Sequence, residues 1–154
     1  MDLLSISSLF GLPSSDDKVR HLLRELGVTQ VPSLNDGDTD VYVERKDLGL
    51  FLVFTDEAYF KKTDDPIGKG PVVLTNVTVY CEATPDFKAY QGPLPFGLHV
   101  TGDRQAALKA LGQPEEEIDD LNIDRWTING AWVFIKYNED LKSMVDFSFQ
   151  TPDA

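Results

Sequence analysis

Apolar side chains recur at helical spacing in two separate stretches of the chain. In the first stretch, residues 7–27 (SSLFGLPSSDDKVRHLLRELG), the apolar positions that share one helix face are Val19, Leu22, Leu23 and Leu26. In the second stretch, residues 93–114 (PLPFGLHVTGDRQAALKALGQP), the corresponding positions are Ala107, Leu108 and Leu111. Both stretches open on Phe-Gly-Leu, pass through a polar turn and end their periodicity at a glycine, Gly27 or Gly112. The pattern therefore predicts one helix in each stretch.

Strand-like runs follow each predicted helix. They are rich in β-branched and aromatic residues or alternate between apolar and polar positions. The runs cover residues 40–46, 48–55 and 71–82 in the first half, and residues 124–128, 131–137 and 143–150 in the second. Asn129-Gly130 separates two of them, and this dipeptide is typical of a type I′ hairpin turn. The order helix, strand, strand, strand therefore occurs twice.

This repeated order predicts an α+β fold made of two tandem helix–three-strand units. The units cover about residues 7–82 and 93–150, and a linker at residues 83–92 joins them within a single domain, residues 1–154. Each unit is expected to be an antiparallel meander with its helix packed on one face. The two units then form either one sheet or two tandem sheets.

Two further segments complete the predicted architecture. Residues 56–70 interrupt the first unit and are rich in glycine, proline and charge, so we expect a long exposed loop, or a strand tip followed by a loop. The linker contains Phe87 and Tyr90, two aromatic residues that we expect to hold it against the surface.

The charge of the chain changes the picture from fold to function. Of the 154 residues 26 are acidic and 14 are basic, which gives a net charge of −12. A field of that sign repels nucleic acid and anionic membranes and attracts basic proteins. We therefore expect no nucleic-acid partner and no membrane partner. Simple solubility is the other interpretation of the acidity.

The sequence also bears on the compartment. The apolar run near the start carries Asp2 where a secretory signal has basic residues, and no apolar run reaches the roughly 18 residues of a membrane helix. Cys81 is the single cysteine, so an internal disulfide is not possible and a reducing compartment fits. These features predict a cytoplasmic protein.

No motif in the sequence indicates catalysis. His21 and His99 have no cysteine or carboxylate at metal-ligand spacing, and Cys81 reads as a buried strand cysteine without a neighbouring base. The alternating acids of residues 36–40 resemble part of a calcium loop but lack its distal glutamate, so a turn is the better interpretation. We therefore expect no enzyme, no catalytic residue, no cofactor and no metal site.

The densest acidic stretch is residues 112–124 (GQPEEEIDDLNID), which lies between the second helix and the next strand. A connection between a helix and a strand needs only residues that end the helix and residues that begin the strand. Six carboxylates are more than this role requires. A solvated loop is the plain interpretation, and a docking surface for a basic partner is the functional one. The candidate partner-binding residues are Glu115, Glu116, Glu117, Asp119, Asp120 and Asp124.

Aromatic residues concentrate in the strands that follow. Alternation along residues 131–137 places Trp132, Phe134 and Lys136 on one face and Val133, Ile135 and Tyr137 on the other. Because both faces are largely apolar, we expect a central strand whose aromatic residues pack in the core. The alternative is an interface made of exposed aromatic residues with acids around them.

One stretch of the chain resembles a known family. Residues 90–114 (YQGPLPFGLHVTGDRQAALKALGQP) are similar to a phrase that recurs in small bacterial proteins, many of them immunity proteins of toxin–immunity pairs. The helix–Leu-Gly-x-Pro–three-strand unit also resembles the module of the assembly lipoprotein BamE, and its doubling is similar to the beta-lactamase inhibitor protein. The resemblance implies the doubled fold and a toxin as partner. It carries no partner-binding residue to this chain.

Charge, size and resemblance together predict a non-enzymatic immunity protein that neutralises a toxin acting in the cytoplasm. The basic groove of a nuclease or another nucleic-acid-modifying toxin is the surface that an acidic inhibitor fits best. One alternative is a structural adaptor that binds proteins through a weakly charged face. Another is a small enzyme or ligand-binding protein with its site between the units. The sequence leaves the oligomeric state open.

Overall fold

A single antiparallel sheet organises the molecule, which a computed structural model describes for residues 2–152. The strands are β1 (Asp40–Arg45), β2 (Leu50–Asp56), β3 (Val72–Tyr80), β4 (Glu116–Ile118), β5 (Ile123–Ile128), β6 (Ala131–Tyr137) and β7 (Met144–Gln150). Helices pack against this sheet, so the predicted α+β class is confirmed. The seven strands therefore form one sheet and not two tandem sheets.

The spatial order of the strands is β1-β2-β3-β7-β6-β5-β4. The first half contributes the meander β1-β2-β3 and the second half the meander β4-β5-β6-β7, and the last strands of the two meanders pair with each other. In that central pair Val77 lies opposite Phe149 and Thr78 opposite Ser148. This arrangement is compatible with two tandem units, and their origin as copies of one unit stays a prediction.

The two predicted helices are present, and each is capped by an aspartate. In α2 (Asp17–Glu25) the side chain of Asp16 accepts a hydrogen bond from a backbone N–H of the first turn, and Asp103 does the same for α4 (Arg104–Leu111). Gly112 ends α4 with a φ of 81°, a conformation that disfavours any side chain. The glycines at the helix ends were predicted from the sequence, whereas the aspartate caps were not.

Three elements differ from the sequence-based expectation. A short helix, α1 (Leu3–Ser7), precedes the first predicted one, and another, α3 (Glu57–Lys61), forms within the segment expected to be a loop. The acidic joint is also not a loop throughout, because β4 pairs with β5 as an edge strand. The charged composition of β4 did not predict a strand, because strand propensity depends more on the face that a side chain occupies than on its residue type.

The linker lies against the sheet as expected. Tyr90 is buried, its backbone N–H donates to the carbonyl of Tyr80 at 2.8 Å, and the N–H of Lys88 donates to the carbonyl of Lys46 at 2.9 Å. The approach is so close that a Cβ atom on Gly49 would lie 2.2 Å from the carbonyl oxygen of Lys88. Glycine is therefore required at that turn.

The hydrophobic core lies on one face of the sheet. Side chains of α1, α2 and α4 form one cluster with the strand residues that point toward them, among them Leu52, Val77, Phe149 and Val133. The alternate strand positions point away from the helices. We call their side the open face, and its side chains are Tyr42, Glu44, Phe51, Val53, Asn76, Thr78, Tyr80, Arg125, Thr127, Trp132, Phe134, Lys136, Asp146, Ser148 and Gln150.

No helix within residues 2–152 has the length and apolarity to cross a membrane.

Candidate interaction surface

Fewer carboxylates of the acidic stretch, residues 112–124, lack a basic partner than its sequence indicates. Glu115 and Glu116 both reach Arg125 on β5, with N–O distances of 3.5 Å and 3.0 Å. Glu115 also accepts a hydrogen bond from the hydroxyl of Thr127. Strand pairing produces these contacts, because β4 places Glu116 directly opposite Arg125. Two of the six candidate acids therefore share one guanidinium.

Arg104, the first residue of α4, neutralises two more of the candidate acids. It donates to both carboxylate oxygens of Asp124, at 2.8 Å and 3.2 Å, and to Glu117 at 2.9 Å. Asp124 points toward the helices and is 3% exposed. Its assignment to a docking surface therefore needs correction, since it has no free carboxylate to offer.

Asp119 and Asp120 are the two candidate acids that keep unpaired charge. Both are exposed on the turn after β4, and no basic group within residues 2–152 lies within 4.0 Å of either carboxylate. An arginine therefore pairs with four of the six candidate acids, and two keep unpaired charge. Whether the exposed acids contact a partner stays a prediction.

The first aromatic cluster of the open face joins β1, β2, β3 and the linker. The rings of Tyr80 and Phe87 have centroids 4.7 Å apart, and Phe51 lies 6.0 Å from Tyr80 and 6.3 Å from Phe87. Tyr42 extends the cluster to the edge of the sheet, 6.1 Å from Phe51, and is 59% exposed. Together these four rings form a continuous partly exposed patch.

A second aromatic cluster lies toward the other edge. Trp132 and Phe134 meet edge to face at 6.1 Å, and the guanidinium of Arg125 lies 4.6 Å from the centroid of the Trp132 ring. Because Arg125 also binds Glu115 and Glu116, acids, arginine and indole form one connected group. Trp132 and Phe134 are half-buried, which lies between a covered core and a fully exposed interface.

Polar side chains separate the two clusters along β3 and β7. The hydroxyl of Thr78 donates to Asn76 at 2.8 Å, and Asn76 donates to Gln150 at 3.5 Å. Ser148 lies opposite Thr78 across the strand pair. The centre of the open face can thus form hydrogen bonds, while aromatic residues lie on both sides of it.

Asp146 is a charged residue beside this polar centre, two positions before Ser148 on β7. It lies opposite Tyr80 on one side and opposite Lys136 on the other, and it is half-buried. Burial raises the pKa of the Asp146 carboxyl to about 6, and the positive charge of Lys136 offsets this only in part. A carboxylate in this position gains from any cation that approaches it.

The residues first weighed for catalysis have other roles. Burial raises the pKa of the Cys81 thiol to about 12, so it is not a thiolate nucleophile near neutral pH. His21 lies exposed on α2 with its Nε2 2.9 Å from Glu25. Within residues 2–152 no three histidine, cysteine or carboxylate side chains lie close enough together to hold a metal ion.

Sequence reasoning missed most of the open face. Trp132 and Phe134 were assigned to one side of a strand, but nothing local indicated that α1, α2 and α4 all pack on the other side. Asp146 is a single acid in an apolar strand, and that is the signal that could have found it. A lone carboxylate between buried positions needs either a partner or a functional reason.

Comparisons with known proteins identify the fold only. No protein-family model and no curated protein match the chain. A solved structure that resembles it is a 1.5 Å crystal structure of an extracellular protein containing a SCP domain from Bacillus anthracis str. Ames, with a TM-score of 0.60 and 9% sequence identity. The match covers 99% of this chain and 46% of that chain, so this chain spans less than half of its length.

Proposed function

We propose that this chain is a non-enzymatic immunity protein that binds and neutralises a basic bacterial toxin through its open face. The observation that carries the proposal is the composition of that face. Its aromatic clusters are partly exposed, and carboxylates lie at their edges, Glu44 beside Phe51 and Glu116 beside Arg125. Aromatic residues and arginine dominate the binding energy of protein interfaces, and surrounding acids select a basic partner.

The net charge supports the same class of partner. A charge of −12 accelerates encounter with a positive surface at low ionic strength. Nucleases and other nucleic-acid-modifying toxins carry such a surface where they hold phosphates. The proposal therefore places the toxin among these enzymes and, with its inhibitor, in the cytoplasm. The resemblance of residues 90–114 to immunity proteins points the same way.

Binding and protection together test the proposal. The proteins encoded by reading frames adjacent to this one are purified and mixed with the chain, and complex formation is measured by calorimetry. Each is then expressed in cells with and without the chain. We expect one of them to bind, to inhibit growth alone and to lose toxicity when co-expressed. Absence of a complex with every neighbouring product would contradict the proposal.

An adaptor function is the second candidate, and the internal ion pairs favour it. Arg104 and Arg125 neutralise four of the six acids near β4, which weakens the field of that edge. An adaptor binds through apolar contacts and associates at a rate that salt changes little. The immunity function predicts an association rate that falls clearly between 50 mM and 500 mM salt, on the order of tenfold or more.

A further inference from the structure

Asp146 lies on the open face in one row with Tyr80 and Lys136, at the end of β3, and its carboxylate is unengaged. Among residues 2–152 no group forms a hydrogen bond with its carboxylate, and no basic group lies within 4.0 Å of that carboxylate. The residue is half-buried and its oxygens are not among the fully buried polar atoms without a partner, so the carboxylate keeps contact with solvent. We propose that Asp146 and Tyr80 form a receptor for an arginine side chain. The inference rests on the proposed function in that the arginine belongs to the basic partner.

The neighbouring ring gives the receptor its shape. Tyr80 lies opposite Asp146 across the β3–β7 pair, and its ring is held against Phe87 at 4.7 Å and Phe51 at 6.0 Å. A guanidinium is planar, donates two parallel hydrogen bonds to a carboxylate and stacks on an aromatic ring. A fixed ring beside a free carboxylate matches both properties. The carboxylate also attracts the ammonium group of a lysine, but this group is not planar and does not stack on the ring in the same way.

Three titratable groups surround the carboxylate. Lys136 faces it from β6, Tyr80 faces it from β3, and Cys81 at the end of β3 lies near enough for its thiol to feel the negative charge. Lys136 is the cation among them, and it attracts the carboxylate without forming an ion pair within 4.0 Å. An incoming guanidinium supplies hydrogen bonds that Lys136 does not supply. Lys136 therefore opposes binding of a second cation rather than assisting it.

Small blocked amino acids test the receptor without any toxin. N-acetyl-arginine amide is titrated into the chain at pH 7.5, and backbone and carboxyl NMR shifts report binding. N-acetyl-lysine amide is titrated in parallel. The variants are Asp146→Asn, Lys136→Met and, as a matched control, Asp38→Asn, which removes an exposed acid elsewhere.

We expect the arginine probe to shift the resonances of Asp146 and Tyr80 and to lower the measured pKa of the Asp146 carboxyl. Asp146→Asn should weaken this binding by about tenfold or more, as loss of a charged hydrogen-bond partner does. Lys136→Met should strengthen it, and Asp38→Asn should leave it within about twofold. The lysine probe should bind more weakly than the arginine probe.

Several results would overturn the inference. The proposed receptor would be contradicted if the arginine probe caused no NMR shift at Asp146, or if it bound the Asp146→Asn variant equally well. Equal binding of the two probes would remove the preference for arginine. Because the titration contains no toxin, such a failure leaves the immunity function to its own binding test. A missing toxin partner, in turn, does not alter the outcome of this titration.

Discussion

Asp124 and Asp146 belong to strands of the same sheet, yet they have opposite surroundings. Asp124 faces the helices, is 3% exposed and accepts two hydrogen bonds from Arg104. Asp146 faces away from the helices and has Lys136 across from it but no ion pair within 4.0 Å. Burial raises its pKa to about 6. The carboxylate of Asp124 therefore has its hydrogen-bond partner within the chain, whereas the carboxylate of Asp146 has none among residues 2–152.

The difference separates a structural acid from one that is available to a partner. A buried charge with full hydrogen bonding holds its surroundings in place, and removing its partner leaves an uncompensated charge. A half-buried charge without hydrogen bonds costs stability until something binds it, and such residues cluster at functional sites. The abundance of acids in a segment therefore says less about binding than the pairing of each acid.

The largest expected effect comes from removing the partner of Asp124. Arg104→Met leaves that carboxylate buried without a counter-ion and frees Glu117, so we expect a loss of about 3 kcal/mol in the free energy of unfolding. Urea denaturation at pH 7 measures it. Arg24→Met, at an exposed site of α2, is the control and should cost less than about 0.5 kcal/mol. Equal losses in the two variants would mean that the pair holds nothing in place.

The second effect has the opposite sign. Asp146→Asn removes a carboxylate that burial disfavours, so we expect the free energy of unfolding at pH 7 to rise by about 1–2 kcal/mol. The same change weakens binding of a cation, which is the usual conflict between stability and function at a binding site. Asp38→Asn, an exposed acid in a turn, is the control and should change stability little.

The pH dependence checks the cause. The folded pKa of Asp146, about 6, lies above the ordinary value of 3.8, so the folded state binds this proton more tightly than the unfolded state does. This group therefore lowers the stability of the wild type as pH rises from about 4 to about 6. The advantage of Asp146→Asn should be near zero below pH 4 and complete above pH 6. An advantage independent of pH would contradict the account.

The smallest effect distinguishes paired from unpaired acids near β4. Glu116→Lys places a cation beside Arg125, so we expect a loss of about 1 kcal/mol in the free energy of unfolding. Asp120→Lys changes an exposed acid without a basic neighbour and should cost less than about 0.5 kcal/mol. Thermal denaturation of both variants measures the difference. If Asp120→Lys proved the more damaging, the assignment of ion pairs would be wrong.

Local patterns made most of the fold predictable. Helical spacing and the glycine stop at Gly112 predict α2 and α4, and runs that alternate or are rich in β-branched and aromatic residues predict six of the seven strands. The strand β4 escaped prediction because its pairing with β5, and not its own composition, makes it a strand. Short helices such as α1 escaped because one turn of periodicity is too brief to recognise.

The candidate surface was predictable only in part. Acids and aromatic residues were visible along the chain, but the ion pairs of Arg104 and Arg125 join residues up to 20 positions apart. The position of the open face also depends on which side of the sheet the helices cover. The sequence of a strand does not indicate that side. Asp146 became a candidate once its register with Tyr80 and Lys136 was known.

Two exposed tyrosines provide the most direct test of the central claim that a basic partner docks on the open face. Tyr42 on β1 is 59% exposed on that face, and Tyr59 on α3 is 49% exposed outside the strands. The measurement is the Kd of Tyr42→Ala and of Tyr59→Ala for the neighbour-encoded toxin, each compared with the wild type. The account predicts that Tyr42→Ala weakens binding by about tenfold or more and that Tyr59→Ala stays within about twofold. Equal affinities in both variants, or the larger loss in Tyr59→Ala, would contradict it.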